Sequence, residues 1–489
     1  MKILLLSAEV APFAKVGGLA DVAGSLPKAL RSLGHDVRVM MPSYGMIERD
    51  PAWKLETALE RFEVRLSADF VKTAYLKHLE HCGVSFYFIG TDQWFPESIS
   101  SQTVYLPGSD QHLFFSKAAL RASQELDWIP DVVHCNDWHT GFTPVLMRET
   151  GHPTWNDTAT IFTIHNLAYQ GEFDEDILRR LDLPMTLFNL HQLETYGRVN
   201  FLKAGCVYAD QVNTVSPTYA LEIQTPEYGC RLEGLMQHLS AAECLTGVLN
   251  GIDTVEFDPE KDPLIPAHYS SANLEGKAEC KRALLTEIGL RPIEGAALMG
   301  VVSRLSSQKG MDLLIDTIKE LFAENVQLVV QGLGDPWLAT EYRRVQDAYP
   351  NQFRFLEKFD PRLAQRVYSG SDIFLMPSSF EPCGLGQLIA MRYGTIPLVR
   401  RTGGLADTVF DGQNGFVFEN RSGEEFLATC RRAVAAFGNS TKWRKLVKNA
   451  MDADYSWKRS AKAYVELYQR AVASRRELGD AALGEKRTG

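Results

Sequence analysis

Short apolar runs recur along most of the chain, each closed by a polar or glycine-rich turn and followed by a stretch with helical spacing. Residues 3–6 open the series as a strand. Residues 20–33 read as a helix with Leu26, Leu30 and Leu33 on one side, and 37–41 is the next strand. Further strands are expected at 84–89, 132–134, 161–164 and 211–215. Apolar strands alternating with helices predict a mostly parallel sheet covered on both faces.

A second, more regular series follows residues 254–275, a segment rich in Pro, Asp and Ser that reads as a connecting loop. Strands are expected at 298–303, 327–331, 354–356, 373–376 and 396–399. The helices between them fall at 311–324, 338–348, 363–369 and 385–393. Three helical stretches finish the chain, the last over 457–478, and the tail 479–489 reads as frayed. The expected organisation is therefore an α/β chain in two large halves, residues 1–245 and 246–456. A C-terminal helix, within 457–489, is expected to pack back on the first half.

One pentapeptide occurs in both halves: Gly17-Gly18-Leu19-Ala20-Asp21 and Gly403-Gly404-Leu405-Ala406-Asp407. Lys15 precedes the first copy, and Arg400 and Arg401 precede the second. Paired glycines let backbone approach a ligand closely, and free N–H groups at a helix start point at anions. The pair of loops reads either as two anion-binding turns or as two strand-to-helix turns that share a sequence by chance.

Charge narrows the field. The 61 acidic and 51 basic residues leave a net charge of −10, which argues against broad binding to nucleic acid or anionic membrane. The opening apolar run is too short for a signal peptide and is interrupted by Glu9, and no apolar run reaches the length of a membrane span. The eight cysteines form no CxxC and no regular spacing, so they are expected to be reduced thiols in a cytoplasmic protein.

In open α/β sheets, ligands bind outside the carboxyl ends of the strands, so chemistry should sit in the strand-end turns. One such turn is His134-Cys135-Asn136-Asp137-Trp138-His139. It reads as an active-site loop, with a zinc site weighed against it because the two histidines are poorly spaced and lack a cysteine pair. The His165-Asn166 pair after residues 161–164 suits sugar hydroxyls. In Arg304-Leu305-Ser306-Ser307-Gln308-Lys309-Gly310, two cations flank a polar turn before a helix, a good phosphate site on physical grounds. Glu381 stands before a Pro-Cys-Gly turn, where it reads as a sugar ligand or as a helix cap. Cys383 reads as a reactive thiol or as a backbone-placing residue. The first glycine loop lacks G-x-G-x-x-G, so a nucleotide sugar fits better than a dinucleotide.

These segments together resemble the bacterial glycogen synthase and plant starch synthase family. The matching motifs are KVGGLADV (15–22), HCNDWH (134–139), TIHNLAYQG (163–171), TVSPTYA (214–220), LNGID (249–253), SRLSSQKG (303–310), FEPCGL (380–385) and RRTGGLADTV (400–409). The resemblance implies a GT-B fold, two Rossmann-like domains facing across a deep cleft. It also implies transfer of glucose from ADP-glucose to the non-reducing end of an α-1,4-glucan, with retention of configuration and no metal or other cofactor. Arg304 and Lys309 would neutralise the diphosphate, and the N–H groups of Gly403 and Gly404 would face the same phosphates. Glu381 would face the donor glucose, with Cys383, Gly384 and Leu385 holding its hydroxyls. His165 would approach the transferred glucose, and Asp137 the acceptor side. Lys15 with Gly17 and Gly18 would close over the donor, Phe359 would lie against adenine, and Asn250 and Thr402 complete the donor set. Asp21, Trp138 and Asn166 are expected at the acceptor or sugar.

The chain departs from the family pattern at Val16 and Gly386, where threonine is common. Ile389 stands where some other sugar transferases carry a second glutamate. A transferase using UDP-glucose or a small acceptor, and a non-catalytic glucan-binding protein, are the competing readings.

Overall fold

The computed structural model describes residues 1–488, with side chains described through Leu478. The chain forms two compact units. One comprises Met1–Val215, Ala220–Val248 and the helix beginning at Trp457; the other comprises Ser216–Tyr219 and Leu249–Ser456.

The first unit is built on a nine-stranded sheet. From one edge its order is Leu245–Gly247, Gln211–Thr214, Ala159–Ile164, Val132–Asn136, Lys2–Leu6, Asp36–Pro42, Val84–Gly90, Phe70–His81 and Glu56–Ser67. The first seven run parallel. Ile3, Leu4, Leu5 and Leu6 are all fully buried, as a central strand covered on both faces requires. Strand order reverses direction at Lys2–Leu6 and Val132–Asn136, where Leu5 lies beside His134. Their carboxyl ends form the topological switch point at which open sheets bind ligands.

The last two strands, Phe70–His81 and Glu56–Ser67, pair antiparallel and were not expected. Glu56–Ser67 is mostly exposed in its first half, and only Phe62, Val64 and Leu66 point inward. A half-solvated edge hairpin lacks the apolar run that marks the central strands. Leu245–Gly247 carries the first unit past the boundary placed at residue 245; a three-residue strand containing Thr and Gly gives no hydrophobic signal.

The second unit holds six parallel strands in the order Phe353–Leu356, Val326–Gln331, Ala297–Val302, Ile373–Met376, Ile396–Arg400 and Phe416–Phe418. Numbered along the chain this is 3-2-1-4-5-6, the doubly wound dinucleotide-fold order. Its switch point lies between Ala297–Val302 and Ile373–Met376. Residues 254–274 contain no helix or strand, the next helix beginning at Glu275, yet they are anchored. The Tyr393 hydroxyl donates to Asp262 Oδ2 at 2.5 Å and the Tyr269 hydroxyl to the Tyr393 carbonyl at 2.8 Å.

The final helix, Trp457–Thr488, packs on the first unit through buried Trp457, Ala461, Tyr464, Leu467, Tyr468 and Ala471. Of the frayed tail expected over 479–489, the side chains and the whole of Gly489 lie outside the described residues. Arg475 pairs with Asp210, whose second oxygen accepts from Arg148 at 3.0 Å and from the Thr160 N–H at 2.7 Å. His134 is also absorbed here. Its Nδ1 meets the Tyr468 hydroxyl at 2.9 Å and its Nε2 the Thr163 hydroxyl at 2.6 Å. All eight cysteines are free. Among the described residues, no helix is long and apolar enough to cross a membrane.

Candidate active site

At the switch point of the second unit, two strand-end turns are latched together. The turn after Ala297–Val302 runs through Ser307–Lys309 to Gly310, whose φ of 71° is left-handed. A Cβ on Gly310 would sink into the Pro377 carbonyl, so the glycine permits the second turn to approach. The Ser379 N–H donates to the Gln308 carbonyl at 2.8 Å, and its hydroxyl to the Ser307 carbonyl at 2.9 Å. This frame brings Lys309 Nζ to both oxygens of Glu381, at 2.8 and 2.6 Å. Glu381 is only 5% exposed and also accepts from the Ser378 hydroxyl at 3.1 Å. Arg304, on the same turn, is exposed, and its guanidinium makes no hydrogen bond or ion pair among the described residues. One pinned carboxylate, one shared cation and one unspent cation thus line a single switch point.

The second glycine pair serves this frame in a different way from the one expected. The Gly404 N–H donates to the carbonyls of Glu381 and Pro382 at 3.1 and 3.2 Å, so it does not point at a phosphate. A Cβ at Gly403 would overlap the Glu381 carbonyl, and one at Gly404 the Cys383 carbonyl. The pair is glycine because the Glu381 turn presses against it. The preceding cations are directed elsewhere: Arg401 to the Glu419 carboxylate at 2.6 Å, Arg400 to the carbonyls of Ser379 and Glu419. Thr402 is buried at the position before the short helix Gly403–Thr408, without a side-chain capping hydrogen bond, and Asp407 accepts from the N–H and hydroxyl of Thr218 at 2.9 and 2.7 Å.

The Cys383-Gly384-Leu385 turn is held by Gln387, whose amide donates to the Cys383 and Gly384 carbonyls at 3.0 Å each. Sequence reasoning passed over Gln387, which looks there like any polar helix residue. Cys383 is buried and its thiol is pushed up to about 12, so the reactive-thiol reading gives way to the backbone-placing one. Asn250 lies beside it, 6% exposed, with its Oδ1 unpartnered among the described residues. A Cβ at Gly386 would stand 3.1 Å from the Phe374 ring, a tight contact in which the ring would have to yield by a few tenths of an ångström to admit a threonine. Ile389 is buried in the core. Phe359, 69% exposed, follows the strand Phe353–Leu356.

In the first unit the switch point carries Asn136, Asp137 and His165. Asp137 has φ 56° and ψ 175°, a region costly for any residue but glycine. Its Oδ1 accepts the His165 N–H at 2.8 Å. Burial pushes its carboxyl up to about 7. Because the strain is local, Asp137→Gly should abolish most turnover yet leave the melting temperature within about 3 °C. Relief of about 1–3 kcal/mol of strain offsets the lost hydrogen bond. Calorimetry beside an activity assay checks this.

His165 Nε2 lies 2.9 Å from Asn136 Oδ1. The Asn136 amide nitrogen faces the carbonyls of Leu6 and His134, so its oxygen accepts and His165 carries its proton on Nε2. That leaves Nδ1 as an acceptor for a hydroxyl. Asn136 stood inside the HCNDWH motif and was not singled out. Asn166 Oδ1 accepts the Ala168 N–H at 3.0 Å. Trp138 joins an aromatic wall with His112, His139, Phe173 and Phe201. His134 and His139 serve the C-terminal helix and this wall, and do not converge on one point.

Burial holds His112, His134 and His165 down to about 3 and lowers His139 as well. These rings are neutral when folded and titrate near 6.5 when unfolded. Their contribution is therefore fully present above pH 6.5 and is lost as pH falls toward 3, by up to about 1.4 kcal/mol per pH unit for each ring. Asp137, raised to about 7, has the opposite sign and offsets one ring's share between pH 4 and 6.5. The melting temperature should be flat from pH 7 to 8 and fall by roughly 10 °C or more by pH 5. A scanning calorimetry series checks it.

The first glycine loop differs from expectation as well. Lys15 pairs with Asp21 at 2.6 Å, both partly exposed. The N–H groups of Val16 and Gly17 point at Glu9 Oε2, at 2.6 and 2.7 Å, and not at open solvent. Gly17 precedes the helix Gly18–Ser32 without a side-chain cap. Glu9 is a functional candidate that sequence reasoning missed, having registered it only as a break in an apolar run.

The starch synthase catalytic domain model matches residues 2–238, and the glycosyl transferases group 1 model matches residues 290–450. The glycogen synthase of Syntrophotalea carbinolica is 44% identical over 96% of this chain and 99% of its own length. That of Thermotoga maritima is 44% identical over 97% and 99%. The chain belongs to the glycogen synthase–starch synthase family. The catalytic domain of starch synthase IV from Arabidopsis thaliana superposes with a TM-score of 0.89 at 34% identity, covering 96% of this chain and 99% of that one. A sucrose-phosphate synthase from Thermosynechococcus elongatus, 17% identical with a TM-score of 0.61, shares the fold. The expected GT-B class, the retaining glycosyltransferase activity and the glycogen or starch synthase function stand on these matches. The switch-point clusters of both units lie within the matched regions.

Proposed function

We propose that this synthase uses ADP-glucose as donor and extends an α-1,4-glucan at its non-reducing end without a metal ion, in the cytoplasm. The observation that carries the reading is the Arg304–Lys309–Glu381 cluster at the second unit's switch point. A departing nucleoside diphosphate develops negative charge, and preorganised cations there stabilise the transition state most. Arg304 meets the diphosphate directly, and Lys309 shares its charge between Glu381 and the phosphate. Glu381, fixed by Lys309 and Ser378, faces the positive sugar as it becomes oxocarbenium-like. In the first unit, His165 Nδ1 accepts a glucose hydroxyl while Asp137 and Trp138 meet the acceptor. Lys15 leaves Asp21 to reach the donor. Retention follows a front-face displacement in which the leaving phosphate takes the acceptor proton. The Arabidopsis relative bound to ADP and acarbose supports the choice of nucleotide.

The test is nucleotide release from ADP-glucose and UDP-glucose with glycogen as acceptor. ADP-glucose should give a kcat/KM at least tenfold higher. Preference for UDP-glucose overturns the donor assignment, and no release from either overturns the reading of the site.

A further inference from the structure

Glu9 lies in the turn after Lys2–Leu6, 4% exposed, and the chemistry proposed above makes no use of it. Its carboxylate is nevertheless fully engaged. Oε2 accepts the adjacent N–H groups of Val16 and Gly17, and Oε1 accepts the Tyr105 hydroxyl. Successive backbone N–H groups that converge on one point make an anion nest, the arrangement that elsewhere receives a phosphate. Here the protein fills the nest with its own carboxylate. Two of these three bonds come from the loop itself, so the carboxylate fixes its backbone at adjacent positions.

The second link is the tyrosine. The Tyr105 ring stacks on His139 with centroids 4.5 Å apart and planes 16° apart. His139 follows Asp137-Trp138 in the acceptor-side turn. Glu9 therefore ties the Lys15 loop to the wall that carries Trp138, through contacts made within a single unit. Burial and the neighbouring Glu9 charge both act on Asp137, which shows the two carboxylates sharing one electrostatic environment. With all three of its donors spent on loop and tyrosine, Glu9 is not placed to move a proton for substrate.

We propose that Glu9 is a positioning residue: it locks the backbone at Val16 and Gly17 so that Lys15 is aimed before the donor arrives, and couples that loop to Tyr105. The proposal rests on the donor role assigned to Lys15. It makes the first glycine pair a held hinge for a cation, where the sequence suggested a phosphate cradle. Preorganisation of this kind lowers the ordering cost of binding, so its loss appears in donor affinity first.

The test combines Glu9→Ala, Glu9→Gln and Tyr105→Phe. In the ligand-free protein, amide hydrogen exchange across residues 10–20 should accelerate at least tenfold in Glu9→Ala. In Tyr105→Phe it should accelerate less, at the same amides. Donor KM should rise about tenfold or more in Glu9→Ala while glucan KM stays within twofold. Glu9→Gln keeps one oxygen for the two N–H groups and should recover most of the donor KM. Unchanged exchange at Val16 and Gly17 overturns the proposal. So does a fall in kcat and both affinities that tracks lost melting temperature and is not rescued by glutamine. If Glu9→Ala does not fold, Glu9→Gln and Tyr105→Phe decide by the same exchange and KM readouts. Should the wild-type enzyme release no ADP, the donor reading fails, while the exchange arm still shows whether Glu9 holds the loop.

Discussion

The double variant Lys309→Met/Glu381→Gln should melt close to the wild type and turn over at least about a thousandfold more slowly. The two single variants separate stability from catalysis. Lys309→Met leaves a carboxylate that is 5% exposed with only the Ser378 hydroxyl as partner among the described residues. Stranding a buried charge costs about 3–5 kcal/mol, and the one-fifth exposure of the Lys309 side chain reduces this to about 2–3. Glu381→Gln leaves a lysine that reaches water and should cost about 1 kcal/mol or less. Neutralising both partners removes the stranded charge, so stability returns. Catalysis does not return, because a thousandfold loss corresponds to about 4 kcal/mol of charge stabilisation at the leaving diphosphate. Thermal melts and kcat for all four proteins give the answer. Activity that recovered along with stability in the double variant would make the pair a structural brace.

Asp210→Ala should be the most destabilising single change in the first unit outside its apolar core, by about 3–5 kcal/mol. Asp210 is almost wholly buried and serves Arg148, Arg475, the Thr160 N–H and the Thr160 hydroxyl. Its removal leaves two arginines facing each other and a buried amide without its acceptor. Burial already lowers Arg148 to about 10, a sign of how little solvent reaches it. Arg475 lies on the helix that opens at Trp457, so loss of Asp210 should also loosen that helix. Proteolysis near the C-terminus should accelerate in step with the fall in melting temperature. If Arg475→Ala alone reproduces less than about 1 kcal/mol, the helix is held by Tyr464 and Tyr468 instead of by the ion cluster.

Legibility differed sharply between parts of the chain. Five of the six strands of the second unit were placed within a residue or two, because they are largely apolar and end at polar turns; the three-residue edge strand Phe416–Phe418 was missed, being too short to show a run. The edge hairpin Glu56–Ser67 and Phe70–His81 was invisible because one of its faces is solvated. Lys309 and Glu381 were readable as chemistry-bearing residues on separate strand-end turns. Their mutual 2.6 Å contact was not, since it depends on two turns 72 residues apart meeting at one switch point.

Local sequence determined the alternation of strand and helix, the parallel sheets and the loops that hold the reactive side chains, since each follows from short-range periodicity and turn chemistry. The family motifs added the reaction. Only the tertiary structure decided what those loops hold. The same Gly-Gly-Leu-Ala-Asp serves one unit as a loop clamped by Glu9 and the other as a surface for the Glu381 turn. Identical residues diverge because a backbone N–H takes whichever acceptor packing brings within reach. That acceptor comes from Glu9, eight positions from Gly17, in one case, and from the carbonyls of Glu381 and Pro382 in the other.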